Sequence, residues 1–308
     1  MAAGPTIASI GNANIDFSYK LKRLPLSDTV IPAEGYVIGT GGSASNYAYA
    51  ARRLGAVAKF YGAVADDILG KYFINELERL GVDVSGVQVV EGEHTGSVSL
   101  WIDEKGEKHG VAWRGANLRL TPKAEWSELG SADLIHLAGC SPEVTSWVVS
   151  HKHRILTLDP GSASGLYSAA ELYRMLSGSS IAYLSEREVR SLAEFRGESP
   201  GAMARSSGCT IVEKMGSAGV KVFSKGGDFE MRALPVQAVD ATAAGDVFAA
   251  AFDISVLTTK DIHVAASWAT AAAALKVAHA GAKSGAPSYE EVRKLVHSSE
   301  EQLRPKPL

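Results

Sequence analysis

The sequence predicts an α/β fold in three layers, with a mainly parallel central sheet between helices and a small inserted β-rich flap. Two observations carry this. Short apolar runs alternate with helical patterns along most of the 308 residues, the rhythm of strand–helix–strand units with right-handed crossovers. Two segments, 18–38 and 96–113, break that rhythm and suit strands of an inserted flap.

In chain order, Thr6–Ile10 reads as a strand ending at Gly11-Asn12, and Asn46–Leu54 as a helix stopped by Gly55. Lys59–Val64 follows as a strand, then Leu69–Leu80 as a helix closed by Gly81. Leu134–Leu137, Ile155–Leu158, Ile181–Leu184 and Thr210–Val212 are further strands. Glu143–His151, Ala169–Leu176 and Glu186–Phe195 are the helices between them. Gly96–Trp113 alternates apolar and polar residues around Asp103–Gly106, a hairpin signal. The Ala-rich stretch Val264–Ala280 is interrupted by Ser267, Thr270, Lys276 and His279, which predicts a buried helix and no membrane span. No internal repeat is present, and the tail Arg304–Leu308 is expected to fray. Length leaves one large domain or two open.

Composition narrows the function. At 46% hydrophobic and 21% charged, the chain can bury enough apolar surface to fold. A net charge of −3 gives no footprint of a nucleic-acid binder. Cys140 and Cys209 form neither a disulfide framework nor a metal-ligand spacing, and the N-terminus is not a secretory signal, so a cytoplasmic location is expected.

In a parallel sheet, ligands lie beyond the carboxyl ends of the strands. Three segments are placed for that. Gly39–Asn46 is a Gly-rich run entering a helix; it suits close backbone approach to a ligand, and equally an Asn-capped helix start. Asp240–Phe248 crowds small residues at a helix start, where the amides of 243–245 can converge on an anion. Asp246, in that first turn, suits either dipole complementation or proton removal from an attacking hydroxyl. Gly11–Asp16 ends a strand with Asn14 and Asp16, ordinary turn residues that also suit a polyol. Gly281-Ala-Lys-Ser284 falls short of a P-loop, and no G-x-G-x-x-G follows the first strand. His136 is expected to pack in a strand, and His151 and His153 to form a solvated turn.

These segments, in this order, resemble the ribokinase-like (PfkB-type) carbohydrate and nucleoside kinases from about Ile7 to Val296. Gly39–Asn46 resembles the first family signature and Asp240–Phe252 the second. Gly62–Gly70, Gly81–Gly86 and Gly115–Asn117 fall where the family has related segments. The resemblance implies ATP-dependent phosphorylation of a sugar or nucleoside hydroxyl. It implies Asp246 as catalytic base and Ala243, Ala244 and Gly245 as anion hole. Asn14, Asp16, Gly41, Gly42 and Asn46 match acceptor contacts. Ser185-Glu-Arg-Glu188 stands at the family's N-x-x-E motif, with Glu188 toward Mg²⁺ and Ser185 in place of the Asn. Lys214, Gly216, Gly219 and His279 match the nucleotide side, His279 being equally suited to capping before Gly281. Asp240 and Thr242 match a monovalent-cation site (K⁺) held by backbone oxygens in some members. The resemblance implies one domain, 1–308, with the flap, about 14–40 and 94–115, as its lid. The lid would cover the acceptor, and lid strands can pair two subunits into a homodimer.

Ser43 replaces the Lys of ribokinases proper, which points toward nucleosides, with free ribose and a phosphorylated sugar as alternatives. Phe17, Tyr36, Trp101 and Trp113 are candidates to stack on a base, or simply to pack the flap. Arg114 suits a phosphate on the acceptor. Glu143, at a helix start, suits either the acceptor or the helix dipole. The reading from another class is a non-catalytic sugar or nucleotide sensor.

Overall fold

The computed structural model describes residues 4–25, 29–104, 108–151 and 153–308. The chain opens with β1 (Thr6–Gly11), β2 (Asn14–Lys20), β3 (Gly35–Gly41) and α1 (Ser43–Arg53). It continues through β4 (Val57–Tyr61), β5 (Ala63–Ala65), α2 (Ile68–Arg79), β6 (Gln88–Val90), β7 (Gly96–Ile102) and β8 (Lys108–Trp113). Then come β9 (Leu134–Ala138), α3 (Pro142–Ser150), β10 (Leu156–Asp159), α4 (Ala169–Ser177), β11 (Ile181–Ser185), α5 (Glu186–Arg196) and α6 (Pro200–Ser207). The last third holds β12 (Thr210–Lys214), β13 (Val220–Phe223), β14 (Phe229–Met231), α7 (Ala244–Thr259), α8 (Ile262–Val277), α9 (Tyr289–Ser298) and β15 (Lys306–Pro307).

The main sheet runs β15-β14-β13-β12-β11-β10-β9-β1-β4. From β4 to β12 every pairing is parallel, and β13 to β15 add on antiparallel. Buried parallel strands read as apolar runs, and all residues of β9 and β10 are buried. One face carries α1, α7 and α8, packed through Tyr47, Phe248, Phe252 and small residues such as Ala265 and Ala269. The other carries α3 to α6, packed through Val144, Met175, Leu192 and Met203. Capping fixes where several helices begin. Ser168/Glu171, Ser185/Glu188 and Ser288/Glu291 form reciprocal capping boxes on α4, α5 and α9. Ser141-Pro142 and Ser199-Pro200 start α3 and α6.

The second sheet, β3-β2-β7-β8, is mixed: β2 pairs β3 antiparallel and β7 parallel. Only Asn12 and Ala13 separate β1 from β2, so this sheet grows directly out of the end of the main one. β7 and β8 are the two arms of the expected hairpin, and residues 105–107 of its turn lie outside the described residues.

Two expectations need correction. The single strand Lys59–Val64 is two: β4 is the outer strand of the main sheet, and beyond it the chain leaves to pair β5 with β6. The tail does not fray. Lys306 pairs with Glu230, Leu308 N donates to Asp228 O, and Leu303 is buried. The open edge of β14 supplies the reason, because its unpaired backbone groups want a partner. Helices α6 and α9 and strands β6, β13 and β14 carry no expectation from the sequence; in α6 small residues hide the apolar face.

Candidate active site

The carboxyl ends of the parallel strands form a row. Asn12 follows β1, Asp159 ends β10, Ser185 ends β11 and Lys214 ends β12. Above this row lie the starts of α1 and α7.

The entry to α7 is shaped by Asp240. Its Oδ1 accepts from Thr242 N at 2.9 Å and Thr242 Oγ1 at 2.7 Å, and its Oδ2 accepts from Gly281 N at 2.9 Å. These bonds fold the loop into a tight turn that puts Ala243 at φ 62°, the left-handed region. A residue with a Cβ is strained there. The turn leaves Ala243, Ala244 and Gly245 at the N-terminus of a 16-residue helix. The first amides of a helix lack intrahelical partners, and the aligned dipoles favour an anion; of the three, Ala244 N already donates to Ala241 O at 3.2 Å across the turn.

Asp246 is the third residue of α7. Asn46, in the first turn of α1, donates through Nδ2 to Asp246 Oδ2 at 2.9 Å. Burial pushes the Asp246 carboxyl up to about 6, against the Asn46 bond and the charge of Lys214. The other side of the Asn46 amide meets Lys283. That ammonium donates to Asn46 Oδ1 at 3.0 Å, Ser45 Oγ at 2.9 Å and Thr40 O at 2.7 Å. Burial brings Lys283 down to about 7, opposed by Asp16 and Asp246. Asp16, on β2, is raised to about 6 by burial and held back by Lys283. Two glycines make room. At Gly42, φ 96°, a Cβ would run into the carbonyl oxygen of Asn12. At Gly41 it would run into the Asp16 carboxylate.

Lys214 pairs with Asp159 Oδ2 at 2.5 Å. Burial opposes its charge, but Asp159, Asp246 and Glu188 outweigh it and hold the ammonium above its ordinary value. Ser185 and Glu188 are engaged with each other: Glu188 Oε2 accepts from Ser185 N at 2.7 Å and from Ser185 Oγ at 2.8 Å. Glu188 Oε1 carries no hydrogen bond among the described residues. No cluster of three or more His, Cys, Asp or Glu among the described residues stands ready for a metal. One carboxylate oxygen fits Mg²⁺ only as an ion that keeps its waters and shares phosphate oxygens, its usual habit.

Beside α7 an apolar cavity of about 490 Å³ is lined by Gly216, Gly219, Leu234, Ala244, Phe248 and Val277, among others. This brings two expected nucleotide residues together with the helix start. His279 sits on the exposed turn after α8 and does not line the cavity.

On the flap side, Asn14 Oδ1 accepts from Asn117 Nδ2 at 2.8 Å, and Asn117 also bonds both backbone groups of Ala13. Arg114 Nη2 donates to Ser162 O at 2.8 Å, reaching from the flap to the loop after β10. Glu143 is exposed in the first turn of α3, the position that complements a dipole. The register settles the aromatics. Side chains alternate across a strand, and Asp16 pairs with Gly39 and Val98, whereas Phe17 pairs with Ile38 and Ser99. Phe17, Tyr36, Trp101 and Trp113 therefore share one face, and Asn14 and Asp16 lie on the other, beside Val37, Val98 and Leu100. The candidate stacking residues face away from the acceptor side. His136 is buried as expected, its ring stacked on Tyr47 at 3.6 Å between centroids.

Two groups at this site were missed. Asp159 stands at a strand end, where the general rule for parallel sheets points. Lys283 lies in Gly281-Ala-Lys-Ser284, whose one signal in the sequence is a partial likeness to a P-loop.

A parallel sheet with a helix-start anion site and a raised carboxyl in the first turn is equipped to move a phosphoryl group onto a hydroxyl. The family model of pfkB family carbohydrate kinases matches residues 5–288, and the chain belongs to that family. It is a phosphotransferase with an alcohol group as acceptor and has the ribokinase-like fold. An ATP-dependent ribose-1-phosphate kinase of Halopiger xanaduensis is 30% identical over 290 residues, covering 93% of this chain and 96% of that one. A ribokinase structure from Thermotoga maritima superposes with a TM-score of 0.83 at 26% identity, covering 95% of this chain and 99% of that one. A nucleoside kinase structure from Methanocaldococcus jannaschii reaches a TM-score of 0.86 at 19% identity, with 96% of this chain and 99% of that one covered; it supports the fold. No helix among the described residues is long and apolar enough to cross a membrane.

Proposed function

We propose that the enzyme transfers the γ-phosphoryl group of ATP to a ribose-type hydroxyl, with Asp246 as the base. The contact of Asn46 with Asp246 carries this reading. It joins the sugar side of the cleft to the first turn of the anion-binding helix. Asp246 takes the hydroxyl proton as the oxygen attacks in line. The amides of Ala243, Ala244 and Gly245 and the Lys214 ammonium neutralise charge on the transferring group. Gly216 and Gly219 border the apolar cavity that suits a nucleobase, and His279, which does not line it, is left without a role there. When bound, Mg²⁺ would neutralise phosphate oxygens, with Glu188 orienting its waters.

Asn14, Asp16, Gly41, Gly42 and Asn46 form the polar floor for the acceptor. Lys283 and Arg114 add positive charge there, which favours a pentose that already carries a phosphate. The relative that phosphorylates ribose 1-phosphate agrees with this. A nucleoside is the second reading, favoured by the aliphatic Val37, Val98 and Leu100 beside Asp16. The flap, 14–40 with 94–115, acts as a lid that excludes water. Its far face exposes Tyr36, Ile38, Val111 and Trp113, an apolar patch suited to pairing two copies through the lid. We place the enzyme in the cytoplasm.

The test is an acceptor panel read by ADP formation with ATP: pentoses, pentose phosphates, nucleosides and hexose phosphates. Turnover with pentose phosphates ahead of nucleosides supports the first reading. The reverse order selects the second. Nucleotide binding with no ADP formed from any acceptor would leave only the sensor.

A further inference from the structure

Lys276 stands in the last turn of α8 with no surface exposed. Its Nζ donates to the main-chain oxygens of Asp240 at 3.3 Å and His279 at 3.2 Å. These carbonyls belong to two different loops, one entering α7 and one leaving α8. The same loops are joined by Gly281 N on Asp240 Oδ2 at 2.9 Å. They are joined again at Val277 O, which accepts from Val239 N at 2.7 Å and Asp240 N at 3.0 Å. The Asp240 loop then turns through Ala243 directly into the anion site.

A desolvated unit positive charge among backbone oxygens, one layer behind the anion site, is what a bound monovalent cation would supply. Here the chain supplies it itself. An ammonium at hydrogen-bond distance fills the space between these carbonyls, and a second cation beside it would meet a like charge with little screening. The backbone cation site expected at Asp240 and Thr242 therefore does not fit K⁺ in this chain. We propose that the Lys276 ammonium replaces the monovalent cation, so that the kinase is independent of K⁺. Covalent attachment also fixes the occupancy: the two loops are clamped at any salt composition. The inference does not depend on the acceptor, since it concerns the nucleotide side of the site.

The decisive experiment uses the full chain in tetramethylammonium salt against potassium salt at equal ionic strength. Three quantities are read: melting temperature, ADP affinity by titration calorimetry, and turnover with whichever acceptor is active. The wild type should give the same values in both salts. Lys276→Ala should melt lower and bind ADP at least about tenfold more weakly without K⁺. Added K⁺ should raise its melting temperature, as a ligand of the native state does, and recover part of the affinity. A wild type whose melting temperature, affinity or turnover rises severalfold or by several degrees in K⁺ overturns the proposal. So does a Lys276→Ala variant that matches the wild type in both salts. If that variant does not fold, the comparison of the wild type in the two salts decides alone. Absence of turnover with every acceptor would count against the kinase reading, while melting and ADP binding still decide this one.

Discussion

Tyr47 Oη donates to Asp253 Oδ2 at 2.7 Å, one residue after Asn46 on α1 and seven after Asp246 on α7. The two helices are thus tied twice. The upper tie is Asn46 to Asp246 at the site, and the lower is a buried cluster beneath it. Thr157 donates to Asp253 Oδ2 at 2.9 Å and Tyr183 to Oδ1 at 2.5 Å. Because Thr157 gives its proton to Asp253, the 2.8 Å contact with His136 requires a proton on His136 Nδ1. Position at the site is therefore set from the core.

Removing the lower tie should be costly. Asp253→Ala leaves Tyr47, Thr157 and Tyr183 hydroxyls buried without an acceptor, at about 1–3 kcal/mol each before relaxation. A loss of at least about 3 kcal/mol in urea unfolding is expected. Tyr47→Phe, which removes one donor, should lose about 1 kcal/mol.

Asn46→Ala should move a pH limb. The Asn46 bond favours the ionised form of Asp246, so its loss raises that group above about 6. The base must be unprotonated to act. The acidic limb of the kcat/KM profile should shift to higher pH, and the loss of rate should be greater at pH 6 than at pH 8. An unshifted limb with a uniform loss would mean that Asn46 only positions.

Asp246→Asn should lower turnover by about 10²–10⁴-fold while ADP affinity stays near that of the wild type. Its stability should change in the opposite sense. The folded carboxyl titrates near 6 and the unfolded one near 3.8. Between those values the native state holds an extra proton, so stability from this group is present below the lower value and lost as pH rises through the upper. The variant should melt above the wild type at pH 8, and the gap should close near pH 4. Calorimetry at both pH values checks the sign.

Lys283→Met should separate charged from neutral acceptors. The ammonium is brought to about 7 by burial, so its charge fades above that pH in the free enzyme. With a pentose phosphate the wild-type kcat/KM should fall on the alkaline side, and the variant should lose at least about tenfold. With a neutral acceptor the loss should be smaller. Equal losses for both would reduce Lys283 to a holder of Asn46.

The strands, the helices and the loops at the site were largely legible in the sequence, because each rests on local pattern. Ser185 shows the limit. It matches the Asn position of the family's N-x-x-E motif on the nucleotide side, but Ser-x-x-Glu is also a capping box, and that is how it is used. Phe17 shows another. Its place near the site was legible, but which face it takes depends on a register set by β3 and β7. Asp159 was within reach of the strand-end rule, since it closes β10, whereas Lys283 was unreadable as a partner of the site because it arrives from a distant turn, and no spacing in the chain encodes that meeting. The tail was misjudged because its partner, β14, is itself only three residues long.

The two-residue link Asn12-Ala13 has a final consequence. Asp16 rides on the flap, whereas Asn46 and Asp246 belong to the main body. The proposed acceptor contacts therefore divide between the two parts, Asp16 on the flap and Asn46 on the main body, with Lys283 spanning them through Thr40 O and Asn46 Oδ1. Under the proposed function an acceptor held by both parts would act as an interlock, sparing the nucleotide from idle hydrolysis until the cleft is filled.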